Sequence, residues 1–220
     1  MIKKLLLYCG VLSSLLYVFM NIICALRFDG YSSFSQTVSE LSAIGAPTRQ
    51  LWVEMCLVFN TLMIAFGLGV RISGSRKTNL RIAGKLLMIV GLIGFAWPPM
   101  HQRAVLASKG PGLTDTLHIA FTVVTSVFML LAMGFGAAAL GMRFRIYSIL
   151  TIFVLLVFGA LTGLDAQRVQ ANLPTPWTGV WERINIAAFL LWIVVLAITL
   201  LSKERYETDK LIMGKAEKAL

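Results

Sequence analysis

The residues of this chain best suited to proton chemistry are two histidines. Both fall within one stretch, MHQRAVLASKGPGLTDTLHIAFT, Met100 to Thr122. Arg103 follows His101 by two positions, and His118 follows Asp115 by three. Residues three apart on a helix share a face, so the Asp115 carboxylate and the His118 imidazole point the same way. An imidazole oriented by Asp115 or Glu40 can serve as a general base, and a guanidinium such as Arg103 or Arg183 can hold an anionic headgroup. His118, Asp115, His101 and Glu40 are the candidate catalytic residues. A zinc version would use His101, His118 and one acid, with a fourth position for water. The 16 residues between the histidines match no metal-helix spacing such as HExxH, and no G-x-S-x-G occurs. No metal or cofactor is therefore expected, with zinc as the alternative.

Membrane helices must position these side chains. The chain of 220 residues is 58% hydrophobic and 14% charged, outside the range of soluble domains. Six apolar stretches, 5–26, 50–70, 82–99, 117–140, 147–164 and 182–201, are each long enough to cross a bilayer core of roughly 30 Å. Backbone groups have no water partner there, so each is predicted to be helical. The expectation is an all-α polytopic bundle over 1–202 with a tail at 203–220. The first span follows Lys3 and Lys4 but outruns a signal-peptide core and lacks a small-x-small cleavage site, so it reads as retained. Cys9, Cys24 and Cys56 all fall inside spans and form neither a disulfide framework nor a metal spacing.

The net charge of +10 is unevenly placed. Six spans put fourteen basic residues on one side (Lys3, Lys4, Arg71, Arg76, Lys77, Arg81, Lys85, Arg143, Arg145, Lys203, Arg205, Lys210, Lys215, Lys218). The other side carries six: Arg27, Arg49, Arg103, Lys109, Arg168 and Arg183. This is a positive-inside bias, which predicts cytoplasmic termini. The basic loops need no nucleic-acid partner; attraction to anionic inner-leaflet lipid is enough, so membrane lipids are the expected partners. Nothing in the sequence sets the oligomeric state.

The acids Asp29, Glu40, Glu54, Asp115, Asp165 and Glu182 gather on the outer side with both histidines. Polar stripes run inward from there: Ser14, Tyr17, Asn21 and Cys24 in the first span, Thr122 with Thr125 or Ser126 in the fourth, Glu182 and Asn185 in the sixth. Such stripes face the bundle or a wet cavity, because lipid exposure is costly. They predict an outer vestibule with Ser39, Arg103, Asp165, Arg168, Glu182 and Arg183 as ligand-binding candidates. In the plainer reading, Asp115 serves the helix dipole, Trp177 and Trp181 anchor the interface, and the charges form a salt-bridged collar. The first outer loop, YSSFSQTVSELSAIGAPTRQLW, contains two capping-box patterns, Ser33 with Gln36 and Thr37 with Glu40. Phe34, Val38 and Leu41 follow at helical spacing until Gly45 and Pro47, which predicts a short amphipathic helix that could lid the vestibule.

AFGLGV at 65–70 echoes AMGFGA at 132–137, each followed by a basic loop, an Arg-Ile pair and, further on, a Gln-Arg pair. Spans two–three and four–five thus read as a tandem hairpin repeat. It would place His101 with Arg103 and Asp165 with Arg168 in equivalent positions around one cavity. Ala65/Gly69 and Ala132/Gly136 supply small-residue contacts for close helix approach.

The segments YSSFSQTVSELSAIGAP, PPMHQR, TDTLHIAFT and GVWERINI resemble, in this order, the bacterial membrane-protein family called domain of unknown function 998. The resemblance implies a six-span bacterial inner-membrane protein whose polar motif positions fall on Ser39, Glu40, His101, Arg103, Asp115, His118, Glu182 and Arg183. It implies no reaction. The leading functional reading is a membrane component whose outer vestibule binds lipid or a lipid-like ligand. An outer-leaflet hydrolase or transferase using His118 and Asp115 comes second, and a small-molecule or proton-coupled transporter third.

Overall fold

The computed structural model describes residues 1–75 and 77–217; Arg76 of the basic loop and residues 218–220 of the tail lie outside the described residues. Its helices are α1 (Ile2–Arg27), α2 (Arg49–Ser73), α3 (Thr78–Phe95), α4 (Arg103–Lys109), α5 (Leu113–Ala139), α6 (Met142–Leu164), α7 (Ala166–Gln170) and α8 (Thr178–Glu217). Six of them, all but α4 and α7, are long and apolar enough to cross a membrane. The chain is a multi-pass helical membrane protein.

The spans differ from the apolar runs at ends where capping chemistry decides. α3 starts at Thr78 and stops at Phe95, short of residue 99. Pro98 and Pro99 disfavour helix in the residues before them, and the chain leaves the helix there. α5 starts at Leu113, where the Asp115 carboxylate accepts the Gly112 N–H at 2.8 Å. Asp115 and His118 are therefore both helical. α8 continues through the start of the expected tail to Glu217.

Neighbour contacts close the six long helices into a ring in the order α1, α2, α3, α5, α6, α8 and back to α1. In the half nearer the termini, apolar side chains fill the ring: Leu7, Phe66, Leu87, Met133, Trp192 and Leu196 are fully buried. The Trp192 indole N–H donates to Ser148 Oγ at 2.9 Å, the polar tip of a buried aromatic finding its partner. Small residues bring helices together. A β-carbon at Gly67 would reach the backbone of Gly84 and Met88, one at Gly69 would meet Leu6, and one at Gly136 would meet Trp192.

At the other, polar end, the segments 28–48, 96–112 and 165–177 fold over the ring. Residues 33–44 are not the expected amphipathic helix. Only Val38–Ser42 is helical, as a single 3₁₀ turn. The Thr37/Glu40 capping box does form, with the Glu40 carboxylate accepting Thr37 N–H at 2.7 Å. The Ser33/Gln36 pattern does not cap a helix, because Gln36 Oε1 instead accepts Ser32 N–H at 2.8 Å. Val38 and Leu41 are buried against Met20, Cys24 and Trp52, while Phe34 is exposed. Gly45, at φ +85°, turns the chain out of the 3₁₀ segment.

Candidate functional site

Two buried polar networks build the polar end. In the first, Arg103 and Glu40 form a bidentate pair, Nε to Oε1 at 2.7 Å and a terminal nitrogen to Oε2 at 2.9 Å. Arg103 also donates to Thr175 Oγ1 at 2.7 Å and to the Ser35 carbonyl at 2.9 Å. Glu40 is 4% exposed and accepts further bonds from Thr37 Oγ1 and Gln36 Nε2. Both Glu40 oxygens accept at least two bonds, as a buried charge requires. Glu40 therefore does not orient His118, and Arg103 is consumed inside the fold.

The second network holds 28–48 against α8. Arg183 donates to the carbonyls of Ser33 (2.8 Å), Gln36 (3.1 Å) and Gly179 (3.0 Å), to Asn21 Oδ1 (3.3 Å) and to the Tyr31 hydroxyl (2.6 Å). Burial pushes the Tyr31 phenol up to about 12. It stays neutral, accepting from Arg183 while donating to the Thr37 carbonyl at 2.8 Å. Glu182 accepts the backbone N–H of Val38. These bonds use up the carbonyls that 28–48 would otherwise leave unpaired, so the segment is pinned to α8, α4 and α1.

The histidines take different partners from those expected. Asp115, 4% exposed, accepts the His101 backbone N–H at 2.7 Å and the His101 Nδ1–H at 2.9 Å as well as Gly112 N–H. It clamps 96–102 to the start of α5. It shares a helix face with His118 but orients His101, because the loop donors reach its oxygens first. A bridge from Ile44 N–H to the Met100 carbonyl, 2.7 Å, joins the two loops beside it.

His118, 6% exposed, has its Nδ1 2.7 Å from the Pro98 carbonyl and its Nε2 3.1 Å from Ser39 Oγ. A carbonyl oxygen can only accept, so Nδ1 carries the proton and the Nε2 lone pair faces the Ser39 hydroxyl. The Trp97 ring packs against the imidazole at 5.5 Å, nearly perpendicular. Among the described residues, no three His, Cys, Asp or Glu side chains are grouped to hold a metal ion.

Beside this pair, a cavity of about 570 Å³ opens between α5 and α6. Thr37, Ser39, Asp115, His118, Glu182 and Asn185 line its polar mouth. Below them run Thr122 and Ser126, then Val127, Leu130, Leu155 and Leu156. From Asp115 to Leu130 the cavity follows about 22 Å of helix at 1.5 Å per residue. The room comes from missing side chains, since α6 contributes Gly159, Ala160 and Gly163 to the wall. Among the described residues, no lysine or arginine lines it.

A family profile described as "Protein of unknown function (DUF998)" matches residues 11–199. The chain belongs to this family. No curated protein and no solved structure matches it.

Of the ten candidates, this DUF998 chain brings Ser39, Asp115, His118 and Glu182 to the cavity. Glu40, Arg103, Arg183 and His101 stand behind it as supports. Asp165 accepts from Thr178 Oγ1. Arg168, with its side chain 51% exposed, lies 3.9 Å from Asp165 and donates to the Pro174 carbonyl at 2.8 Å. Arg103 is enclosed where Arg168 is open, so the two do not occupy equivalent surroundings. Glu54 is exposed and pairs with Gln50 at 3.0 Å, away from the cavity. The Pro98 carbonyl, which fixes the His118 tautomer, has one sequence signal: the Pro98-Pro99 pair that ends α3 and frees its last carbonyls.

Proposed function

We propose that this protein binds one long-chain, neutral amphiphile, taken sideways from the bilayer through the seam between α5 and α6. The carrying observation is the cavity's graded lining, polar at Ser39, His118 and Glu182 and apolar at Leu130, Leu155 and Leu156. A hydrocarbon tail gains about 0.8 kcal/mol per buried methylene only relative to water, so the headgroup contacts must supply the selectivity over bulk lipid. With no lysine or arginine among the described residues of the lining, a phosphate headgroup would find no counter-charge there. A hydroxyl-bearing head donates to Glu182 and is accommodated. The polar end faces outward, in the inner membrane of a bacterium, with both termini cytoplasmic. The basic loops at the opposite end support that orientation.

A non-cleavable alkylglycerol ether carrying a fluorophore, titrated into protein in nanodiscs, tests the reading. Gly163 lines the cavity and a β-carbon there meets nothing within 4 Å, so Gly163→Phe introduces a ring at the cavity wall without a clash at its Cβ. It should weaken binding at least about tenfold, because the ring takes space the amphiphile needs and forcing both into one cavity costs about 1–3 kcal/mol. Gly134→Phe, equally free of clashes but outside the lining, should leave binding unchanged. Equal affinity in both variants would exclude the cavity as the binding site.

A further inference from the structure

We propose that Ser39 and His118 form a nucleophile–base pair that cleaves, or transfers the acyl group of, a neutral long-chain carboxylic ester held in the cavity. The proposal rests on the binding reading above and adds chemistry to it. Three observations carry it. Among the described residues, Ser39 Oγ has one hydrogen-bond partner, His118 Nε2 at 3.1 Å. The Pro98 carbonyl fixes Nδ1 as the protonated nitrogen, which leaves Nε2 free to take the serine proton. Both side chains line the polar mouth of the cavity, and Ile119 and Val123 begin its apolar lining within about 8 Å of helix below His118. A bound amphiphile places its ester, the junction between head and tail, at that level. In serine hydrolases a carboxylate commonly holds the tautomer; here a backbone carbonyl does so.

The steps balance as follows. Ser39 Oγ attacks the ester carbonyl carbon while its proton passes to His118 Nε2. The tetrahedral intermediate collapses, the C–O bond to the alcohol breaks, and the imidazolium returns the proton to the departing alkoxide. Water, or the hydroxyl of a second lipid, then attacks the acyl-Ser39 carbonyl and gives its proton to Nε2. Ser39 leaves and is reprotonated by His118. An ester fits better than a phosphodiester, because no lysine or arginine among the described residues lines the site to neutralise a phosphate.

The test uses the full-length protein in nanodiscs and a neutral long-chain alkyl phosphonofluoridate ester, whose serine adduct forms with loss of fluoride, with intact-mass and peptide mapping. The expected result is a single adduct on Ser39, absent in Ser39→Ala and suppressed by excess monoacylglycerol. In His118→Gln it should form about 10²–10⁴-fold more slowly, the usual cost of a lost general base. If one variant fails to fold, the other decides. No adduct on Ser39, or one formed at the same rate in His118→Gln, overturns the pair, provided the alkylglycerol ether still binds in a Gly163-dependent way. If that binding is also absent, the failure belongs to the binding reading.

Discussion

At the residue scale, the polar end depends on charges that have no water to fall back on. Glu40 is 4% exposed and meets Arg103 through two short bonds. Removing the arginine leaves a buried carboxylate without its counter-charge, a loss of about 3–5 kcal/mol. Arg103→Ala should lower the thermal midpoint in detergent by roughly 6–20 °C, at about 2–4 °C per kcal/mol for a chain of this size. Glu40→Ala in the same background should cost much less than it does alone. Additive losses in the double-mutant cycle would show that the two side chains act separately. Arg103→Lys keeps the charge but loses the fork to Glu40 and the bonds to Thr175 and Ser35, and should fall between.

At the element scale, the 3₁₀ turn at Val38–Ser42 delivers Ser39 to His118. The turn stays in place because α8 approaches 28–48 closely. A β-carbon at Gly179 would run into the carbonyl oxygens of Ser33, Phe34 and Gln36, two of which accept from Arg183. Gly179→Ala is therefore expected to push 28–48 away from α8 at a cost of about 1–3 kcal/mol. The readout is faster proteolysis or hydrogen exchange confined to 28–48. Unchanged protection there would mean that the other anchors, Glu40 and Glu182, suffice.

At the scale of the whole molecule, the ring is solid toward the termini and open between α5 and α6 toward the polar end. The orientation proposed above makes that opening face the outer leaflet. In a background with the three native cysteines replaced by alanine, Ser108→Cys at the polar end should react with a membrane-impermeant maleimide on intact cells. Lys77→Cys, exposed in the loop between α2 and α3, should react only after lysis. The reverse pattern would turn the protein over and place the cavity in the cytoplasmic leaflet.

The amino-acid sequence alone determined the six spans, the polar stripes and the gathering of acids and histidines at one end, because helix length, backbone satisfaction and lipid exclusion act on contiguous residues. It also showed Asp115 and His118 on one helix face, since helical periodicity is local. Which partner each takes was a tertiary decision: His101 for Asp115, and Ser39, 79 positions distant, for His118. The cavity was likewise invisible in one dimension. It exists because α6 brings Gly159, Ala160 and Gly163 to a wall shared with Thr122 and Ser126 of α5, and empty space between two helices is a property of their packing and of neither segment of sequence by itself.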